Sequence, residues 1–299
     1  MTSNVGKDRQ AYAYALAAVL LWSTSASAFK LALRHIDQQS LLLIASATST
    51  VIFFVFLLAT DKLSHLRSFS TKDYLRSADL GFLNPFLYYV MLFKAYSLLL
   101  AQEAQPINFV WPLTLVLLSI PLLGQRVKAK SLLAIAVSFL GVVVIALRIQ
   151  RPADILDFHF TSAAGVILAL STTVVWSLYW IFSVRDKRDE TVRLFVNFAF
   201  ATAYILILLV LEGKLSTPNR QGLAGGVYVG LFEMGVTFLA WLRALKMARS
   251  TASVVNLIYL VPFLSLVCIT VVVGETILLS TVVGLILIVT GIVLQKAWA

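Results

Sequence analysis

PLTLVLLSIPLLG at residues 112–124 returns in outline about 150 residues later as PFLSLVCITVVVG at residues 262–274. Each stretch begins with proline and ends with glycine. A further glycine follows each at the same spacing, Gly141 in the first case and Gly291 in the second. Prolines and glycines that recur at the same spacings in two parts of a chain indicate an internal repeat. The chain is therefore interpreted as a duplicated unit.

The composition is that of a membrane protein. Of the 299 residues, 60% are hydrophobic and 13% are charged, and the mean hydropathy is +0.91, far from the soluble average of about 25% charged residues. Most apolar runs approach the ~20 residues that a helix needs to cross a bilayer. They lie near 11–33, 40–60, 77–98, 104–123, 130–147, 161–183, 192–211, 222–245, 250–273 and 277–298. This pattern predicts an all-α integral membrane fold with ten transmembrane helices, and it lacks the alternating segments of a β-barrel.

The formal charge of +10 does not indicate nucleic-acid binding, because the basic residues cluster in short loops, as membrane orientation requires. Cys268 is the single cysteine, so an internal disulfide is excluded. The three histidines are scattered, and no phosphate-binding GxxxxGK[ST] motif occurs. We therefore predict no metal, no cofactor and no enzymatic activity, although an integral membrane enzyme stays as the alternative from another class.

Orientation follows from lysine and arginine. Most of the 24 basic residues fall on one side of the membrane if both termini are cytoplasmic. Five helices per half then place the halves, residues 11–147 and 161–298, in opposite orientations. In agreement, the loop after Gly124 is basic, whereas the loop after Gly274 is not. Two inverted halves around a central cavity are an architecture of secondary transporters.

The first apolar run also imitates a signal peptide, because basic residues precede it and Ala26-Ser27-Ala28 resembles a cleavage site. Its Trp22-Ser23 pair recurs within the chain as Trp176-Ser177. A removable leader has no reason to be repeated there. We therefore expect this run to be the first transmembrane helix.

The second repeat resembles a known family signature. Pro262-Phe263-Leu264-Ser265, Gly274-Glu275, Gly284 and Gly291 are similar to the EamA repeat of the drug/metabolite transporter superfamily. The first repeat matches more loosely, with Gln125 in place of the usual acidic residue. LWSTS at residues 21–25 and NFVWP at residues 108–112 resemble the YddG branch, whose members export aromatic and other amino acids. The resemblance implies ten helices in two inverted repeats, a central cavity, and export across a bacterial inner membrane.

Glu233 is the clearest candidate for a functional side chain, because inserting a carboxylate into a transmembrane span costs free energy and such residues usually have a functional role. Its repeat counterpart is Asn84, which directly precedes Pro85. At matched depth the two are expected to face each other across the cavity. Glu233 can bind a substrate ammonium or carry a coupling proton; the alternative is a structural hydrogen bond to a neighbouring helix.

Aromatic side chains deep within predicted spans form a second candidate group. An indole ring suits an aromatic or cationic substrate, and its N–H needs a partner when buried. The alternative is that these rings only fill space between helices. The candidates for lining the cavity are Trp22 with its neighbour Ser23, Tyr88, Tyr89, Trp111, Trp176 and Tyr179.

The paired prolines form a third group. Pro112 and Pro262 remove a backbone donor within apolar runs, which predicts kinks that act either as hinges or as static bends. An asparagine and an aromatic residue lie within the two turns before each proline. The asparagine side-chain amide can donate to the freed backbone carbonyl or hydrogen-bond a substrate. These candidates are Asn108 and Trp111 in the first half, and Asn256 and Tyr259 in the second.

The sequence thus favours a secondary transporter that exports small metabolites, amino acids with an aromatic bias, by alternating access. The alternative within the superfamily is a sugar, nucleotide-sugar or organophosphate exchanger, which is expected to place a basic residue at mid-membrane; none is found there. The predicted partners are a small-molecule substrate and the lipid bilayer. Either a monomer or a dimer is compatible with the sequence.

Overall fold

The computed structural model describes residues 2–124, 129–150, 162–184, 186–215, 217–247 and 256–298, and these residues are helical with short connections. The helices are α1 (Thr2–Ala32), α2 (Gln38–Ala59), α3 (Ser64–Arg67), α4 (Thr71–Gly81), α5 (Tyr88–Leu98), α6 (Ala101–Asn108), α7 (Trp111–Leu123), α8 (Ala129–Ala146), α9 (Ala163–Val184), α10 (Glu190–Leu211), α11 (Arg220–Tyr228), α12 (Val236–Met247), α13 (Val261–Cys268) and α14 (Leu279–Trp298). The expectation of an all-helical chain is confirmed for this part of the sequence.

Irregular turns interrupt several of these helices. Phe82–Leu87 joins α4 to α5, a wider π-helical turn at Val229–Gly235 joins α11 to α12, and a second π turn at Ile269–Val273 extends α13. A 3₁₀ turn at Asn256–Leu260 precedes α13. Irregular backbone inside a membrane helix frees polar groups that neighbouring helices or ligands must satisfy. These turns are therefore places to look for function.

Six helical segments are long and apolar enough to cross a membrane. They are Arg9–Ala32, Gln38–Ala59, Ala101–Leu123, Ala163–Ser183, Glu190–Leu211 and Arg220–Met247. Three shorter apolar helices cover Leu132–Ala146, Leu257–Val273 and Leu279–Leu294. With the interrupted stretch from α4 to α5, the described residues form about ten candidate spans. The chain is a multi-pass helical membrane protein.

The helices group into two compact units, and each unit takes helices from both halves of the sequence. Unit 1 consists of Met1–Phe86 and Arg188–Cys268, and unit 2 of Leu87–Lys187 and Ile269–Ala299. In unit 1, α1 packs on α12 and α13; in unit 2, α9 packs in the same way on α5 and α7. The duplication seen in the sequence is thus repeated in helix packing.

Within unit 1, α2 packs along α10 and against the π turn before α12. Glycine permits this approach, since a Cβ atom at Gly230 would lie 2.6 Å from the Ala45 carbonyl oxygen. Ser49 reaches across the contact and donates a hydrogen bond of 2.9 Å to the Gly230 carbonyl. Small residues and interhelical hydrogen bonds hold helices together where lipid supplies no hydrophobic driving force.

Within unit 2, α8 and α14 pack with their backbones nearly touching. A Cβ atom added at Gly284 would lie 2.5 Å from the carbonyl oxygen of Gly141, and a Cβ at Gly141 would lie equally close to the Gly284 carbonyl. Ser138 on α8 donates a 2.8 Å hydrogen bond to the Ile288 carbonyl. Only glycine fits at this crossing.

The acidic residue of the family signature caps a helix. The Glu275 carboxylate accepts hydrogen bonds from the backbone N–H groups of Ala101 (3.0 Å) and Gln102 (3.2 Å) at the start of α6. The Gln102 side chain returns the contact by donating to the Thr276 carbonyl at 2.9 Å. A carboxylate at a helix N-terminus satisfies free N–H groups and complements the helix dipole. Glu275 therefore fixes this loop to α6.

One ion pair in unit 1 fixes the start of α10. Asp189 is the N-cap of this helix and accepts from the backbone N–H of Thr191 at 2.9 Å and of Val192 at 3.2 Å. Its other oxygen lies 2.7 Å from Lys62 Nζ. Burial acts to raise the pKa of Asp189, but the lysine and the two N–H donors together outweigh it and hold the pKa below its ordinary value.

Asp189→Asn is expected to lower stability at neutral pH by about 1 kcal/mol, since asparagine still caps the helix but loses a partly exposed ion pair. Because the folded-state pKa is depressed, this contribution is present above the unfolded pKa and disappears as pH falls through the folded value. Thermal melting of both proteins from pH 7 to pH 3 should show the gap closing below about pH 4. Asp61→Asn, at an exposed loop position, is the control. A gap independent of pH contradicts the assignment.

Candidate functional site

Unit 1 contains a carboxylate, that of Glu233, which is hydrogen-bonded to α1. The Ser25 hydroxyl donates a hydrogen bond to Glu233 Oε2, and the Trp22 indole N–H donates to the Glu233 backbone carbonyl at 3.3 Å. Trp22 and Ser25 lie one turn apart and therefore share one face of α1. Residues of α1 thus hydrogen-bond both the side-chain carboxylate and the backbone carbonyl of Glu233.

The π turn explains why the Glu233 carbonyl accepts a side-chain donor. A π turn displaces the regular i to i−4 hydrogen bonds and leaves carbonyls available to other donors. Here the Thr237 hydroxyl donates a hydrogen bond to the Phe232 carbonyl, and the Trp22 indole N–H donates one to the Glu233 carbonyl. The turn therefore aims both the backbone and the side chain of Glu233 at α1.

Aromatic rings surround the Trp22 side chain. Its ring centroid lies 5.4 Å from that of Trp241 and 6.1 Å from that of Phe238, both in edge-on geometry. One turn before Glu233, Tyr228 meets the Thr24 hydroxyl at 2.9 Å. We call Trp22, Ser25, Glu233, Phe238 and Trp241 the carboxylate cluster. It combines one acid with the faces and edges of three rings.

Unit 2 contains a second aromatic group, centred on Trp176. The Trp176 ring lies 4.8 Å from Tyr88 and 6.4 Å from Trp111. Tyr179 and Trp180 follow at 6.0 and 6.1 Å. Tyr89 packs edge-on to Tyr88 at 4.8 Å.

A chain of hydrogen bonds crosses this second group. Tyr88 donates its hydroxyl to Asn108 Oδ1 at 3.2 Å, and Asn108 Nδ2 donates to the Thr172 hydroxyl at 2.7 Å. We call Tyr88, Asn108, Trp111, Thr172 and Trp176 the amide cluster. Its polar groups are neutral, in contrast to the carboxylate cluster.

Both prolines occupy the second position of a new helix. The chain turns at Phe109–Val110 before α7 begins, so Pro112 falls where its missing N–H is not required. Pro262 stands in the same place in α13, after the 3₁₀ turn. Each predicted kink is thus a short interruption between two helices. Tyr259 is half-buried in that 3₁₀ turn, and the side chain of Asn256 lies outside the described residues.

Two predicted site residues stand apart from these clusters. Ser23 is buried and donates to the Val19 carbonyl of its own helix at 2.7 Å. Asn84 is fully buried, its backbone is extended (φ −148°, ψ 122°), and in the described part of the chain neither atom of its amide has a hydrogen-bond partner. It therefore makes no hydrogen bond to Glu233. Asn197 on α10 is buried and unpartnered in the same sense.

Comparison with known proteins follows the same division into halves. The sequence profile of the EamA-like transporter family matches residues 9–147 and 163–295, which is most of the chain. The chain belongs to the EamA-like transporter family. This is a family of transporters and not of enzymes.

Individual relatives are more distant. An uncharacterized transporter of Clostridium kluyveri is 32% identical over 183 residues, covering 58% of this chain and 56% of that protein. An aromatic amino acid exporter, YddG, of Ancylobacter novellus is 28% identical over 158 residues, covering 52% and 53%. These two alignments thus span only about half of each relative.

Longer alignments show lower identity. An uncharacterized transporter of Archaeoglobus fulgidus is 23% identical over 277 residues, covering 92% of this chain and 94% of that protein. A solved crystal structure superposes with a TM-score of 0.65 at 23% identity and covers 96% of both chains. At that identity the structure supports the fold of this EamA-like transporter and nothing finer.

Sequence reasoning did not select four members of these clusters, which are Ser25, Thr172, Phe238 and Trp241, and it did not select the buried amide of Asn197. Ser25 falls within the LWSTS stretch at residues 21–25, but its residue type alone gave no reason to single it out. Thr172 is one turn before Trp176, and helix spacing from that tryptophan points to it. Asn197 is an amide within an apolar span, so the rule that selected Asn84 also selects it. In the described residues there is no group of three or more His, Cys, Asp or Glu side chains arranged to hold a metal ion.

Proposed function

We propose that this EamA-like transporter exports small metabolites, specifically amino acids with an aromatic bias, by alternating access. The observation that carries the proposal is the carboxylate cluster, where Glu233 contacts Trp22 and the Trp22 ring packs on Trp241. A carboxylate pairs with an α-ammonium group, and an indole face attracts both a cation and an aromatic ring. The match to a half-length relative called an aromatic amino acid exporter supports the same substrate class.

Two inverted repeats of five helices, residues 11–147 and 161–298, complete the proposed architecture. Support comes from the unequal charge of the matched loops after Gly124 and Gly274. The matched packing of α1 on α12 and of α9 on α5 also supports duplication of one unit. We propose a bacterial inner-membrane location with both termini in the cytoplasm, and Pro112 and Pro262 as hinge positions.

Counterflow in proteoliposomes tests the substrate class. Vesicles preloaded with an unlabelled compound should accumulate the labelled form of phenylalanine or tryptophan more than that of alanine, glucose or a hexose phosphate. Exchange of the sugar or the organophosphate alone would overturn the proposal and support the alternative exchanger. Absence of exchange with every amino acid would also overturn it.

Trp22→Ala and Trp176→Ala are expected to weaken phenylalanine more than leucine. Loss of an aromatic pair removes about 0.5–1.5 kcal/mol, so the apparent KM for phenylalanine should rise roughly 2- to 12-fold. The measurement is initial counterflow rate against substrate concentration. Trp298→Ala is the control, because this tryptophan is the last residue of α14. Equal losses for phenylalanine and leucine would contradict stacking.

A further inference from the structure

A shallow apolar groove opens on unit 1, and its lining includes no residue of the carboxylate cluster. Its volume is about 340 Å³, and it is lined by Leu66, Tyr74, Phe195, Val196, Ala199, Phe200 and Ala203. The Tyr74 hydroxyl is already engaged, since it donates to the Leu66 carbonyl at 3.0 Å. The groove therefore offers no free side-chain polar group to a hydrophilic metabolite, and its lining suits a hydrocarbon chain.

The groove lies along α10, with Leu66 and Tyr74 facing that helix from the segment before it. Helix α10 begins at Glu190 and has 22 residues, which at 1.5 Å per residue is about the thickness of the hydrocarbon core. The lining residues of α10, from Phe195 to Ala203, are the sixth to fourteenth of its 22 residues and span its midpoint. A hydrocarbon chain whose polar end lies toward the start of α10 would thus reach past the middle of that helix.

The wall of the groove that carries Tyr74 belongs to α4, and Arg188 fixes α4 to the start of α10. Arg188 donates to the Asp73 carbonyl and, at 2.8 Å, to the Ser77 hydroxyl of α4. Its guanidinium lies 5.0 Å from the centre of the Phe69 ring. These contacts join α4 to the residue before Asp189, so the groove is a built feature of unit 1.

The segment that contributes Leu66 and Tyr74 to the groove is rich in basic residues. Between residues 62 and 76 there are four Lys or Arg residues against a single acid, Asp73. The Asp73 carboxylate is held by the N–H (2.8 Å) and hydroxyl (2.6 Å) of Ser70. Arg67 and Lys72 are exposed, and neither has an ion-pair partner among the described residues.

We propose that this groove binds one anionic phospholipid, with an acyl chain along Ala199 and Ala203 and the phosphate beside Arg67 and Lys72. An apolar channel that begins at a cluster of basic residues matches the amphipathic shape of such a lipid. Basic pockets between membrane helices recognise anionic headgroups. The bound lipid stabilises unit 1 by adding to the contact between α4 and α10.

The test measures thermal unfolding of the purified full-length protein in detergent with added phosphatidylglycerol or phosphatidylcholine. A ligand that binds only the folded state raises the melting temperature in proportion to its affinity. Phosphatidylglycerol should raise it by several degrees and phosphatidylcholine by less, and added salt should reduce the difference. The double variant R67Q/K72Q should lose this preference; both side chains are exposed, so we expect it to fold.

A second pair of variants tests the groove itself. Ala199→Phe fills the groove and should reduce stabilisation by both lipids, whereas Ile167→Phe, at an exposed position of α9 outside the lining, should not. Native mass spectrometry should show phosphatidylglycerol retained by the wild type and by Ile167→Phe. Equal stabilisation of the wild type by the two lipids, or an unchanged preference in R67Q/K72Q, would overturn the proposal. Transport of amino acids is not needed for either outcome.

Discussion

Glu233→Gln is expected to abolish uptake driven by a pH gradient while leaving counterflow of the same substrate measurable. Glutamine keeps the shape and accepts the hydrogen bond from Ser25, but it cannot take up and release a proton. A coupling residue is needed for driven transport and not for exchange between two substrate pools. We expect driven uptake in proteoliposomes to fall to the level measured without a pH gradient.

The same variant separates two roles of the carboxylate. If Glu233 instead binds the substrate ammonium, counterflow and driven uptake fall together. Glu212→Gln is the matched control, because Glu212 is an exposed acid at the end of α10 that pairs with Lys214 at 2.7 Å. Driven uptake by Glu233→Gln at the wild-type rate would remove both roles and leave a structural hydrogen bond.

Gly284→Leu is expected to prevent unit 2 from folding stably. The first atom of the new side chain would meet the Gly141 carbonyl and the side chain of Ile145, both 2.5 Å away. A clash with backbone cannot be relieved by a rotamer change, so α8 and α14 must separate. Overpacking of this kind costs about 1–3 kcal/mol or more, and the separated helices also lose the hydrogen bond from Ser138 to Ile288.

Fluorescence-detected size exclusion of the detergent-solubilised protein measures the effect. Gly284→Leu should elute as aggregate or melt well below the wild type. Val283→Leu, at the adjacent lipid-exposed position, should behave as the wild type does. A monodisperse Gly284→Leu protein with an unchanged melting temperature would show that α8 and α14 do not need this contact.

Hydropathy predicted the class of fold well, because a bilayer imposes one length and one composition on every span. The interrupted stretch from α4 to α5 was harder to recognise as a span from hydropathy, because α4 is less apolar. It carries four charged residues, Lys72, Asp73, Arg76 and Asp79. The π turn at Glu233 left no signal in the sequence. Its geometry depends on packing against α2, where Gly230 meets Ala45.

The site was only partly predictable. Repeat matching singled out Trp22 and Trp176, and both lie at the centre of an aromatic cluster. Their hydrogen-bonding surroundings were not evident, because Ser25 and Thr172 are residue types that occur throughout membrane helices. Glu275 was recognisable as a signature residue, but its place at the start of α6 depends on a fold that brings residues far apart in sequence together.

The mixing of both halves in each unit has a consequence for biosynthesis. α1 packs on α12 in unit 1, so roughly 200 residues must be translated after α1 before its partner exists. At about 5–20 residues per second this takes on the order of 10–40 s. During that interval α1 and α2 persist in the membrane as independently inserted helices, and their polar faces, including Ser25, lack the neighbours that later satisfy them. High contact order is thus built into the topology of this transporter.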